Sequence, residues 1–237
     1  MKLWFGKRKI PALLIQTINK MKPKKAIVLL SGGIDSATTL WLAKEENLLP
    51  KALIFNYGQR HQQEIDFAKR IAKQAKVSYE IVKIQIPWSQ SSLTNRSKKI
   101  PKKFSKNIPS TYVPGRNIIF LSYAVSFAES IKAKSIFIGA HTQDYSGYPD
   151  CRKEFLKSFN QAINLGIANK KIKIHYPLIN KDKKEIIKLG LKLKVPFEHT
   201  WSCYQGRKQP CKECDSCRFR INAFAELGLV DPLLTRK

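Results

Sequence analysis

The sequence predicts an α/β protein: a parallel sheet with helices on both faces. Three observations lead there. Short apolar runs alternate with stretches of helical periodicity from Ala26 onward, the pattern of consecutive strand–helix units. A glycine- and serine-rich turn, Ser31-Gly32-Gly33-Ile34-Asp35-Ser36, joins the first run to the first helical stretch. The chain of 237 residues is 43% hydrophobic, enough to bury one large core without covalent staples.

The elements follow in order. AIVLL (26–30) is a continuous β-prone run, as expected of a strand buried on both faces. SATTLWLAKEE follows as a helix. KALIFNY (51–57) is the second strand, with a helix from Gln62 to Lys76 after it. SYEIVKIQI (78–86) is the third. Residues 87–117 carry Pro, Ser and Lys without periodicity and read as a long loop. IIFLSYAVSFAESIKA (118–133) has helical spacing, SIFIGAH (135–141) is the fourth strand, and CRKEFLKSFNQAINLG (151–166) is an amphipathic helix. KIKIHYPL (171–178) is the fifth strand. A helix opens at Asp182, with Glu185 three residues later as in a capping box. No internal repeat is visible.

Composition excludes several classes. No stretch approaches the roughly 18 consecutive apolar residues of a membrane span. Five cysteines are too few for a secreted disulfide scaffold, so the expected compartment is reducing: the cytoplasm. Lys and Arg number 44 against 17 acids, a net charge of +27. Such a charge invites a nucleic-acid partner. The basic residues, however, are 34 Lys and 10 Arg spread over the whole chain, whereas base-reading surfaces favour the arginine fork. The excess therefore reads mainly as lysine-rich composition, with no stable nucleic-acid complex. Residues 1–24 are basic, contain no acid and lack the features of a leader; they are expected to be a dispensable extension. Residues 25–200 form the expected α/β domain and 201–237 a C-terminal element packed on it.

The turn at Ser31–Ser36 sits where open parallel sheets bind ligands, beyond the carboxyl end of a strand. Two glycines let the backbone approach an anion, the helix start offers N–H groups, and Ser31 and Ser36 add hydroxyls. Asp35 is unusual in a phosphate cradle and suits a magnesium ion bridging to the phosphates. Near the C-terminus, Cys203, Cys211, Cys214 and Cys217 have the spacing C-x7-C-x2-C-x2-C. Four thiolates on so short a segment suit one structural zinc ion per subunit; an iron–sulfur cluster uses the same ligands. Cys151 stands apart, as a packed thiol or a nucleophile.

The hexapeptide after the first strand resembles the pyrophosphate-binding loop of the ATP pyrophosphatase (PP-loop) superfamily, which implies an adenine nucleotide alpha hydrolase-like, Rossmann-like fold and attack at the α-phosphate of ATP. Four further strings sharpen this: FNYGQRH (55–61), STYVPGRN (110–117), DYSGYPDCR (144–152), and WSCYQG (201–206) leading into CKECDSC. Together they resemble the 7-cyano-7-deazaguanine synthase family of queuosine biosynthesis, over residues 25–234. The resemblance implies a ligase that turns 7-carboxy-7-deazaguanine, ammonia and ATP with magnesium into the nitrile through adenylated intermediates, as a homodimer.

Roles follow the matching residues. Leu30, Ser31, Gly32, Gly33, Ile34, Asp35 and Ser36 hold ATP, with Phe55 and Asn56 flanking adenine. Asp35, Ser36, Arg116 and Lys183 are the catalytic candidates. Gln59, Arg60, His61, Asn117, Asp144, Tyr145, Ser146, Gly147, Tyr148 and Asp150 are substrate-binding candidates. The segment HTQ (141–143) matches less well and receives no role. A tRNA-modifying ATP pyrophosphatase shares the loop and suits the charge; a zinc-stabilised nucleic-acid module leaves the loop unexplained. Eight basic residues and no acids lie between Ile81 and Ala128, a stretch placed to steer anions toward the crevice.

Overall fold

In the computed structural model the described residues are 23–101, 108–141, 148–168 and 171–235. Nearly all of the expected N-terminal extension, and the candidates Asp144, Tyr145, Ser146 and Gly147, lie outside them. Among the described residues no helix is long and apolar enough to cross a membrane.

Five strands form one sheet: β1 (Lys25–Leu29), β2 (Leu49–Asn56), β3 (Tyr79–Lys83), β4 (Ser135–Phe137) and β5 (Lys173–His175). Their order is β3-β2-β1-β4-β5 and every pairing is parallel. Parallel neighbours require crossovers, supplied here by helices α1 (Ile34–Glu45), α2 (Gln63–Ala75), α3 (Arg116–Ser130) and α4 (Lys153–Gly166). Helices α5 (Lys183–Lys192), α6 (Asp215–Ala225) and α7 (Pro232–Thr235) complete the chain.

The period-2 geometry of a strand divides the core in two. Ile27, Leu29, Leu53 and Phe55 point to one face and pack with Leu121, Ala124 and Leu156 from α3 and α4. Ala26, Val28, Leu30 and Ile54 point to the other, against Leu40, Ile71, Ile186 and Ile187 from α1, α2 and α5. Both faces are thus covered, which is why β1 reads as an unbroken apolar run. The capping box is present: Asp182 Oδ1 accepts from Glu185 N at 2.8 Å, and Glu185 Oε2 accepts from Asp182 N at 2.9 Å.

Three apolar runs are longer than the strands they form. The fourth ends at Phe137, and Ile138–His141 leave the sheet to build a cavity wall. The third and fifth end at Lys83 and His175. Helix α4 starts at Lys153 because Pro149–Cys151 make a separate 3-10 turn. The helices of the C-terminal element were not expected. They are fixed to the main domain by Arg220 of α6, which bonds Asp231 at 2.7 and 2.8 Å, Thr200 Oγ1 at 2.7 Å and Phe197 O at 3.0 Å.

Candidate active site

At the carboxyl ends of β1, β2 and β4 a cavity of about 290 Å³ opens, at the point where the strand order reverses around β1. The Ser31–Ser36 turn forms its floor. Gly32 has φ +83°, and a Cβ there would lie 2.5 Å from Glu64 O and 2.7 Å from Ala68 N. The turn therefore seats directly on the backbone of α2, a fit open only to glycine. Gly32 O accepts from Trp201 N at 2.8 Å. Ser36 Oγ donates to Gly33 O at 3.1 Å and accepts from Ser31 N at 3.2 Å. No side chain caps α1 at Gly33, so the helix presents its first N–H groups to the cavity, an arrangement suited to phosphate.

Asp35, in the first turn of α1, receives Lys183 Nζ on both carboxylate oxygens, at 2.7 and 2.8 Å. Lys183 reaches it from the start of α5, 148 residues away in sequence. The third member is His141, which no motif marks: its Nε2 lies 3.4 Å from Asp35 Oδ2 and 3.2 Å from Lys183 Nζ. Burial alone would raise the Asp35 pKa; Lys183 and His141 outweigh it and hold the carboxyl well below the usual carboxylate range. An ionised carboxylate facing a phosphate-suited turn is a fitting magnesium ligand.

Another part of the lining is aromatic and cationic. The Arg116 guanidinium lies 6.0 Å from the Tyr57 ring centroid and 5.9 Å from that of Tyr148. Tyr148 Oη and Thr111 Oγ1 share a hydrogen bond of 2.7 Å. Phe55 stacks on Phe120 at 4.0 Å with planes 5° apart. Burial raises the Tyr57 pKa despite the neighbouring guanidinium, so its hydroxyl stays protonated. Asn117 fixes the start of α3: its N–H donates to Asp150 Oδ2 at 2.8 Å and its amide to Cys151 Sγ at 3.1 Å.

Of the predicted residues, Leu30, Ser31, Gly33, Ile34, Asp35, Ser36, Phe55, His61, Arg116, Asn117, Tyr148 and Lys183 line this one cavity. Gly32 supports the turn from behind. Four others are placed elsewhere. Asn56 Oδ1 accepts from Gly58 N at 3.4 Å. Gln59, fully buried, bonds Tyr57 N, Phe55 O and Glu64 Oε1, which locks the β2–α2 turn. Arg60 donates to the carbonyls of Ser92 and Lys98 at 3.2 and 2.9 Å and so pins the long loop. Asp150 holds the start of α3. These four are placed to position the cavity wall, through contacts that a linear motif does not distinguish from ligand contacts. Besides His141, the wall includes Tyr57, Glu64, Trp201, Ser202 and Tyr204; all but Glu64 lie inside the strings FNYGQRH and WSCYQG, where the signal was available. His61 Nε2 pairs with Glu64 Oε2 at 2.8 Å.

The four cysteines of the C-terminal element converge, with all sulfurs within 4.8 Å of one another. Cys211 and Cys217 Sγ lie 4.0 Å apart, close to the ~3.8 Å edge of a tetrahedron built on the usual zinc–sulfur distance. Backbone N–H groups of Gln205 and Cys211 point at Cys203 Sγ, and that of Cys214 at Cys211 Sγ; such donors stabilise thiolates. Hydrogen bonds from Cys214 and Cys217 lower the Cys203 pKa, against burial. This donor set fits a metal ion. The cluster packs against the cavity wall: Gly206 has φ +66°, and a Cβ there would lie 2.8 Å from Arg60 O, while the Tyr204 and His61 rings are 5.8 Å apart.

Comparison with known proteins agrees with this geometry. Residues 25–228 match the family described as queuosine biosynthesis protein QueC. The chain is 47% identical over 221 residues to a 7-cyano-7-deazaguanine synthase of Nostoc punctiforme, covering 89% of this chain and 99% of that one. It is 49% identical over 219 residues to one of Clostridium kluyveri, covering 89% and 97%. In fold it is similar to an NMN synthetase from Francisella tularensis, with a TM-score of 0.50, 16% identity, and 91% and 81% of the two chains covered. The motifs, the parallel sheet with its glycine turn and the extent of these matches place the chain in the QueC family of queuosine biosynthesis proteins.

Proposed function

We propose that this chain is an ATP-dependent ligase that converts 7-carboxy-7-deazaguanine and ammonia to 7-cyano-7-deazaguanine. The observation that carries the reading is a single cavity lined by two unlike groups: a phosphate-suited turn with Asp35 and Lys183, and an aromatic cluster with Arg116.

The chemistry suits that division. ATP phosphates lie on Ser31–Ser36 and the start of α1, with adenine toward Phe55. Asp35 would hold magnesium, which would neutralise phosphate charge, and Lys183 would exchange its carboxylate partner for a phosphate oxygen. A carboxylate oxygen of the acid attacks the α-phosphorus and pyrophosphate leaves. Ammonia attacks the acyl carbon of the resulting adenylate, and AMP departs with that carboxylate oxygen, leaving the amide. The amide oxygen then attacks the α-phosphorus of a second ATP, and a second pyrophosphate leaves. Loss of AMP and the remaining amide protons leaves the nitrile. Donors fixed around the developing phosphate charge supply the stabilisation, and one phosphate site serves both rounds.

The four cysteines hold one zinc ion per chain. That all four sulfurs lie within 4.8 Å of one another supports a single ion, since a cluster spreads its four thiolates over two or more irons. The ion is structural, because four protein ligands leave no open position. The enzyme works in the cytoplasm on free ammonia. It does so as a homodimer, for which the exposed Ile118 and Tyr123 of α3 offer apolar surface. The test is incubation of the purified protein with the acid, ATP, magnesium and ammonium, following the deazapurine by mass. The nitrile is expected with wild type and not with Asp35→Asn; absence of any nitrile from wild type contradicts the reading.

A further inference from the structure

Three cations of the cavity wall differ in what they hold. Lys183 is bonded to Asp35. Arg220 is bonded to Asp231 and Thr200. Arg116 makes no ion pair with a carboxylate among the described residues. Its surroundings keep it charged and still. Burial works against the charge, but the groups around it, Tyr57, Tyr148, Cys151 and the Asp150 carboxylate, together outweigh it. The backbone next to it is anchored by Asn117 on Asp150 and Cys151, and Tyr148 is anchored by Thr111.

A guanidinium flanked by aromatic rings is suited to one kind of anion: a flat one, whose charge lies in the plane of an aromatic system. Phosphate is tetrahedral, gains nothing from aromatic flanks, and is already served by the glycine turn, α1 and Lys183. Adenine is flat but uncharged. Resting on the proposed function, one reactant has both properties: the deazaguanine acid, with its carboxylate conjugated to the ring.

We propose that Arg116 is the specificity residue of the first half-reaction, its guanidinium fork taking the in-plane carboxylate of the acid substrate. The same site must later accept the amide, which carries no charge. Conversion of the carboxylate to the amide therefore ends the ion pair and leaves at most a neutral N–H···O bond. Arg116 selects the acid at the entry step and contributes little to the second activation.

Steady-state kinetics with the acid and, separately, with the 7-carboxamide as starting substrate test this. Arg116→Gln is expected to lower kcat/KM for the acid about a hundredfold, mainly through KM, the loss of a charge-assisted pair. For the amide the loss is about fivefold, that of a neutral hydrogen bond. Arg116→Lys keeps the charge without the fork and falls between. Equal losses on both substrates, or an unchanged KM for the acid, overturn the assignment. Should the Gln variant not fold, calorimetric binding of the acid to Arg116→Lys decides: affinity falls about tenfold or more if the fork is used, and unchanged affinity overturns the proposal. A wild-type protein that turns over neither substrate refutes the ligase reading. A wild type that turns over both, with variants that fail to discriminate, refutes the role of Arg116 alone.

Discussion

Asp35 concentrates the chemistry of the site in one side chain. Its carboxylate is bonded twice by Lys183 and approached by His141, so its pKa is lower in the folded protein than the 3.8 of a free side chain. A group with a depressed folded pKa adds stability above its unfolded pKa and loses it as the pH falls toward the folded value. In urea unfolding, wild type is therefore expected to be more stable than Asp35→Asn at about pH 6, and that advantage to shrink below about pH 4. An advantage independent of pH contradicts the ion-pair account. At the same residue, activity is expected to fall about a hundredfold or more in Asp35→Asn, through lost charge at the reacting phosphate. Asp35 and Ser36 were legible because the turn motif is local. Lys183 was legible as a candidate, but not its bond to Asp35, which spans 148 positions. His141 carried no motif at all; it is placed by the early end of β4, which long-range packing decides. Gln59 and Arg60 are read as ligands from their string, yet their amide and guanidinium groups bond backbone carbonyls instead. A string marks a region under constraint without separating contact from support.

Elements transmit these positions. The seat of the turn on α2 leaves no space for a Cβ at Gly32, where the neighbours are backbone atoms that cannot rotate away. Gly32→Ala is expected to cost about 2 kcal/mol or more from strain and overpacking and to weaken ATP binding. Thermal melts and nucleotide titration check both, and an unchanged melt contradicts the described fit. The pair Arg220–Asp231, with side chains only 2% exposed, ties α6 to the end of the chain. Asp231→Ala leaves a buried guanidinium unpaired, and a loss of about 3–5 kcal/mol in denaturant unfolding is expected; a loss under about 1 kcal/mol contradicts it. The main strands and helices were legible because burial on both sheet faces writes continuous apolar runs. Helix α6 was not: its apolar positions begin inside the cysteine motif, whose spacing points to metal rather than to periodicity. Strand order was not legible either, since parallel neighbours are set by crossovers rather than by local sequence.

At the scale of the molecule, the metal-suited cluster and the nucleotide cavity form one structure. Trp201 bonds the glycine turn through its N–H and the cysteine segment through its indole. Metal analysis is expected to find about one zinc per chain, and its removal by chelation to lower both the melting temperature and ATP affinity. Full ATP affinity in metal-free protein contradicts this coupling. Of the basic residues behind the charge of +27, the cavity lining carries Lys183, Arg116 and Arg220. One site is expected to activate both oxygens of one carboxyl group by adenylation. The most direct measurement starts from 7-carboxy-7-deazaguanine labelled with heavy oxygen in both carboxylate positions and follows the label by mass. Unlabelled nitrile and two AMP molecules per turnover, each carrying one labelled oxygen, are expected. Label released in phosphate with ADP, or in water, would contradict it.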